Sequence, residues 1–108
     1  ADDATGPRWL FLDEPVSSLD IAHQLLVMRI ARGFAQEGGG VVMVMHDLNL
    51  SAMYADRIAL LAAGRIVIHD QPGAVLRDEV LGGVYGCPLR VNATPASGSF
   101  ILPQSVGL

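Results

Sequence analysis

At 108 residues, half of them hydrophobic (51%) and with a mean hydropathy of +0.40, the chain can bury the core of one small domain and is not disordered in bulk. A formal net charge of −4 argues against a nucleic-acid footprint, which needs clustered Lys and Arg, and no apolar run is long enough to cross a bilayer. The single cysteine, Cys87, cannot form an internal disulfide, which makes a reducing compartment the default, and the first residues show no secretory signal and no initiator Met.

Trp9 to Leu12 is an unbroken apolar run, the pattern of a strand buried on both faces in a parallel sheet. It runs into two carboxylates and a proline, Asp13-Glu14-Pro15. Asp20 is placed to cap a helix that extends to about Glu37. Ile21, Leu25, Met28, Ala31 and Ala35 recur at helical spacing as its inner stripe, widened by Ala22, Leu26, Ile30 and Phe34. Gly38-Gly39-Gly40 ends the helix, and Val41 to Met45 forms a second unbroken apolar strand. Strand, helix, strand is a parallel crossover unit. Asn49 to Ala55 reads as a short helix, and Ile58–Leu61 with Arg65–His69 as a hairpin across Ala63-Gly64. Pro72 opens another helix with Val75, Leu76, Val80 and Leu81 as its apolar contacts. The tail from Gly86 carries Pro88, Pro95 and Pro103, and its only strand candidates are short edge strands at Leu89–Val91 and Ser99–Leu102.

In an open parallel sheet, ligands bind beyond the carboxyl ends of the strands. Asp13 and Glu14 stand there on the first strand, and His46, followed by Asp47, stands there on the second. Neighbouring side chains on a strand diverge, so the two acids can serve two ligands. Paired carboxylates at a buried edge call for a cation or a proton, and magnesium with a nucleoside triphosphate is such a partner. Plainer readings stand beside this one. Asp-Glu-Pro is also a polar turn, His46 a satisfied core or capping histidine, and Asp20 only a helix cap. Met43 and Met45 read as core, His23 and His69 as surface, Cys87 as part of a turn, and Arg57 as the partner of an unspecified acid.

Taken in order, these motifs resemble the carboxyl-terminal part of the ATP-binding subunit of ABC transporters. "LFLDEP" looks like the Walker B strand with its following glutamate, "SSLD" like the D-loop, and "VMVMHDLN" like the loop of the switch histidine. "YADRIALLAAGRIV" resembles the family's next hairpin, and "VYGCPLRVNATPASGSFILP" the tail of importers for haem, ferric siderophores and cobalamin, haem foremost. The implied fold is α/β, a partial P-loop NTPase-like domain with a parallel sheet core, flanking helices and a small carboxyl-terminal hairpin and tail. Residues 1–85 would be part of the ATP-binding domain and 86–108 a short tail.

The resemblance implies ATP and Mg²⁺ as cofactors, with Asp13 holding the metal through water. Glu14 would polarise the attacking water, His46 would sense the γ-phosphate, and Asp20 would reach the phosphate loop of a second copy across a homodimer. Membrane permease subunits and, indirectly, a periplasmic or surface substrate-binding protein complete the implied partners. The implied place is peripheral, on the cytoplasmic face of the inner membrane. Three family elements are absent from these residues: the phosphate loop with its Lys-Ser/Thr, the glutamine loop and the Leu-Ser-Gly-Gly-Gln signature. The chain therefore reads as a fragment or truncated product, inactive alone. Val16 stands where the family most often has Thr. Competing functions are a soluble ABC ATPase without a permease and a non-catalytic remnant.

Overall fold

Trp9, Leu10, Phe11 and Leu12 are β-favouring or large apolar residues without a breaker, and in the computed structural model they form a strand, β1 (Trp9–Asp13). The structure describes Gly6 and residues 8–106. The outermost residues of the 1–85 and 86–108 segments (1–5, 7, 107 and 108) lie outside the described residues. Two compact units divide between Leu50 and Ser51.

In the first unit β1 is followed by a helix, α1 (Ile21–Gln36), and a second strand, β2 (Gly40–Val44). The two strands pair in parallel, Trp9 opposite Gly40 and Asp13 opposite Val44. The expected crossover unit is thus present. A Cβ at Gly40 would run into the Trp9 indole, which would have to move aside. Asp20 caps α1, Gly38 takes φ +94 beyond its end, and the carbonyls of Phe34 and Ala35 accept from Gly39 and Gly38.

Burial corrects two expectations. The strands are not buried on both faces. Leu10, Leu12, Val41 and Met43 are half-buried on one face, whereas Trp9 (59% exposed), Phe11 (71%), Val42 and Val44 stand open on the other. One helix layer covers only one face of a sheet, which produces the alternation. The inner stripe of α1 is also narrower than expected. Leu25, Met28 and Ala31 are buried, while Ile21, Ala22, Leu26 and Ile30 are exposed, because a two-stranded sheet offers too little area for a wide stripe. A short helix, α2 (Leu48–Tyr54), starts at the end of this unit, where Leu50 is fully buried.

The second unit contains an antiparallel hairpin, β3 (Ile58–Ala62) and β4 (Arg65–Asp70). Its two-residue turn has positive φ at both Ala63 (51°) and Gly64 (74°), the twist that matches a right-handed hairpin. A bulge lies between Leu60 and Leu61. Arg57 donates from Nε to the His69 ring (3.3 Å) and from its other arm to the His69 carbonyl, rather than to an acid. The helix expected from Pro72 is two: α3 (Pro72–Val75), which packs on both strands of the hairpin, and α4 (Asp78–Tyr85). Leu76 (ψ 72°) and Arg77 (φ −130°) leave the helical region and separate them. Val75 and Leu81 are buried.

Neither Leu89–Val91 nor Ser99–Leu102 is a strand. The Val91 N–H is taken by the Asp78 carboxylate (2.7 Å), Asn92 and Gly98 sit at positive φ, and three prolines interrupt any ladder. A 3₁₀ turn at Pro103–Ser105 is the only regular element after α4 among the described residues. Cys87 is free and exposed.

Candidate functional site at the strand ends

The parallel register brings the carboxyl ends of β1 and β2 level. The Glu14 N–H continues the ladder by donating to the Val44 carbonyl at 2.9 Å. Glu14 itself sits at φ +48, a region non-glycine residues seldom occupy and which the surrounding structure must hold in place. Asp13 shares the open face with Trp9 and Phe11.

The Glu14 carboxylate meets His46. Its Oε1 lies 2.9 Å from the His46 Nε2, with the two side chains 44% and 79% exposed. Two residues 32 positions apart in sequence are joined because each follows a strand of one parallel pair. Asp47 is occupied differently: its Oδ1 accepts the Leu50 N–H at 2.9 Å and so caps α2.

The loop from Glu14 to Asp20 is closed by two turns, Ser17 N–H to the Glu14 carbonyl and Leu19 N–H to the Val16 carbonyl, both 3.2 Å. Ser18 takes φ +68. Val16 is buried and serves packing. A recess of about 160 Å³ opens between this loop and the end of β2, lined by Glu14, Val16, Ser17, Ser18, Gln24, Met45, His46 and Asp47. Met45 is half-buried there and not core.

Of the four residues singled out in the sequence, Glu14 and His46 touch and line the recess. Asp13 stands beside them at the strand end, exposed, with no partner for its carboxylate among the described residues. Asp20 does not line the recess. It caps α1: its Oδ1 accepts the His23 N–H at 2.9 Å and lies 2.8 Å from the His23 Nδ1. The backbone N–H of His23 above all, and then its ring, hold the Asp20 carboxyl below the usual carboxylate range. His23 is exposed, as expected, but engaged. Ser17 and Ser18 belong to the "SSLD" motif singled out in the sequence, whereas Gln24 was not foreseen at the site. Gln24 had one sequence signal, a polar residue one turn ahead of Met28 on the inner stripe.

Because the Asp20 carboxyl is depressed in the folded state, its stabilisation is present above the ordinary carboxylate pKa and is lost as pH falls through the folded value. Asn keeps the capping oxygen but cannot titrate. Between about pH 6 and about pH 3, the unfolding midpoint of the full-length protein should therefore fall more steeply than that of its Asp20→Asn variant. Equal slopes in thermal melts across that range would dismiss the linkage.

No family model matches the chain. Among curated proteins it is 58% identical over 100 residues to the hemin import ATP-binding protein of Rhizobium meliloti, across 92% of this chain and 38% of that protein. It is 59% identical to the hemin import ATP-binding protein of Ruegeria sp., with the same coverage. Among solved structures, an ABC transporter described as of metal-chelate type, in an inward-facing conformation, superposes with a TM-score of 0.70 at 28% identity. That match covers 75% of this chain and 32% of the other.

The chain is a homologue of part of the ABC-type ATP-binding proteins.

It spans 38% of the length of the relatives it matches. Its α/β architecture is that of its ABC-type neighbours, with a small parallel sheet and flanking helices. Among the described residues no helix is long and apolar enough to cross a membrane.

Proposed function

We propose that this ABC-type segment carries the Walker B, D-loop and switch-histidine part of the ATP-hydrolysing subunit of an importer for hemin or another iron chelate. The observation that carries the reading is the Glu14–His46 contact of 2.9 Å at the level ends of two parallel strands. The names of the relatives support the cargo. Residues 1–85 belong to the ATP-binding domain in this reading, and 86–108 form its tail.

Glu14 orients and polarises the attacking water, and His46 contacts the γ-phosphate and registers its departure. Asp13 fits a magnesium site of the shared kind. Magnesium is held through one or two carboxylates, waters and phosphate oxygens, and Asp13 offers one exposed carboxylate at the strand end. Among the described residues no cluster of three or more His, Cys, Asp or Glu could hold a metal unaided, which agrees with a site completed by nucleotide and water. When bound, magnesium neutralises charge on the β- and γ-phosphate oxygens. Asp20 keeps its capping role and reaches the phosphate loop of a second copy across a homodimer. The dimer sits peripherally under membrane permease subunits, on the cytoplasmic face, and a periplasmic or surface substrate-binding protein is its indirect partner.

The test is growth on hemin as sole iron source. Deleting the gene of the full-length protein should abolish it. Restoring the wild type, but not the Glu14→Gln form, should recover it. Undisturbed growth of the deletion strain would remove hemin as the cargo, and full rescue by Glu14→Gln would remove the role of Glu14.

A further inference from the structure

The loop that carries Glu14 holds two residues in sparsely populated backbone conformations, Glu14 at φ +48 and Ser18 at φ +68. Such conformations persist only where neighbours over-determine them. The two turns inside the loop are local and tie it only to itself. At its start the loop is tied to β2 by the Glu14 N–H bond to the Val44 carbonyl and by the Glu14–His46 contact, and at its middle two further ties reach outside it. The side chain of Val16, at the loop's middle, is buried. The carbonyl of the same residue accepts a hydrogen bond from the Gln24 Nε2 at 3.4 Å, across a separation of eight residues.

Gln24 is well placed for this. Its own N–H donates to the Asp20 carbonyl at 2.9 Å, so its backbone belongs to the first capped turn of α1 and is fixed. It shares the inward side of the helix with Met28 and Ala31, both buried, and is itself half-buried. An amide at such a position is costly unless it is bonded, and the Val16 carbonyl supplies the partner. That carbonyl also accepts the Leu19 N–H, so both of its lone pairs are used. Gln24, Glu14 and His46 line the same recess.

We propose that Gln24 is a positioning residue: through the Val16 carbonyl it fixes the Glu14 loop to α1 and so holds the Glu14 carboxylate at His46. The proposal rests on the reading of Glu14 as the water-polarising group. Gln24 touches neither water nor phosphate in this account. Its effect is therefore on the chemical step and not on nucleotide affinity.

The experiment uses the full-length protein in four forms: wild type, Gln24→Met, Gln24→Ala and Glu14→Gln. Met matches Gln in length and in helix propensity but cannot donate a hydrogen bond. Steady-state ATP hydrolysis with magnesium gives kcat and KM, and thermal melts give Tm. For Gln24→Met and Gln24→Ala alike, kcat should fall by about three- to tenfold, the range expected from one lost hydrogen bond, with KM for ATP unchanged and Tm close to wild type. Wild-type kcat in Gln24→Met together with a large loss in Glu14→Gln would overturn this inference alone. An undiminished rate in Glu14→Gln would overturn the reading of the site and this inference with it. Failure of Gln24→Met to fold, or a lower Tm with unchanged kcat per folded molecule, would assign Gln24 to stability and overturn its positioning role.

Discussion

Replacing Glu14 by Gln in the full-length protein should lower ATP turnover by ~10²-fold or more while nucleotide binding persists. The two side chains have nearly the same shape, and a glutamine oxygen can still lie against the His46 Nε2 where the carboxylate oxygen now lies at 2.9 Å. What disappears is a negative oxygen able to draw a proton from water. General-base catalysis contributes ~10²–10⁴-fold, so its removal sets the scale of the loss. Asp13 cannot stand in. It does not line the recess that Glu14 and His46 share. Phosphate release and equilibrium nucleotide binding, measured on both forms, separate the two effects. Equal turnover, or binding lost along with turnover, would refute the assigned role.

How much of this was legible before the fold was known depends on what each element needed. Apolar runs and their spacing are local signals, so β1, α1, β2 and the hairpin lie where the pattern puts them. The Glu14–His46 meeting was legible because parallel pairing turns a sequence pattern into a shared edge. Burial was less so. Whether Phe11 or Ile30 is covered depends on which layers surround a sheet, and a strand's own residues cannot report that. The tail misled for a related reason. Leu89–Val91 has strand-like composition, but the Val91 N–H is claimed by Asp78 thirteen residues away. The twist at Glu14 was invisible too, since positive φ in a non-glycine residue is imposed by its context. Gln24 was overlooked because a lone polar residue on an apolar stripe acquires a meaning only when its partner, the Val16 carbonyl, is in view.

The 108-residue chain by itself should release no phosphate from ATP above the buffer rate. The argument is electrostatic. A nucleoside triphosphate needs backbone N–H groups and a lysine around its β- and γ-phosphates, supplied in P-loop proteins by Gly-x-x-x-x-Gly-Lys-Ser/Thr at a helix start. These residues contain no such sequence. Their glycine cluster, Gly38 to Gly40, leads into β2 and packs against Phe34 and Trp9. The edge that would face the phosphates instead presents Asp13 and Glu14 on a chain of net charge −4, which repels a polyanion. Positioning and charge stabilisation are nearly all of phosphoryl-transfer catalysis, so Glu14 and His46 have nothing to act on without that cradle. The contrast to measure is phosphate release with magnesium by the purified chain and by the full-length protein at equal concentration. Turnover by the chain alone that vanishes in its Glu14→Gln form would show that these residues suffice, and would overturn the requirement for a cradle outside them.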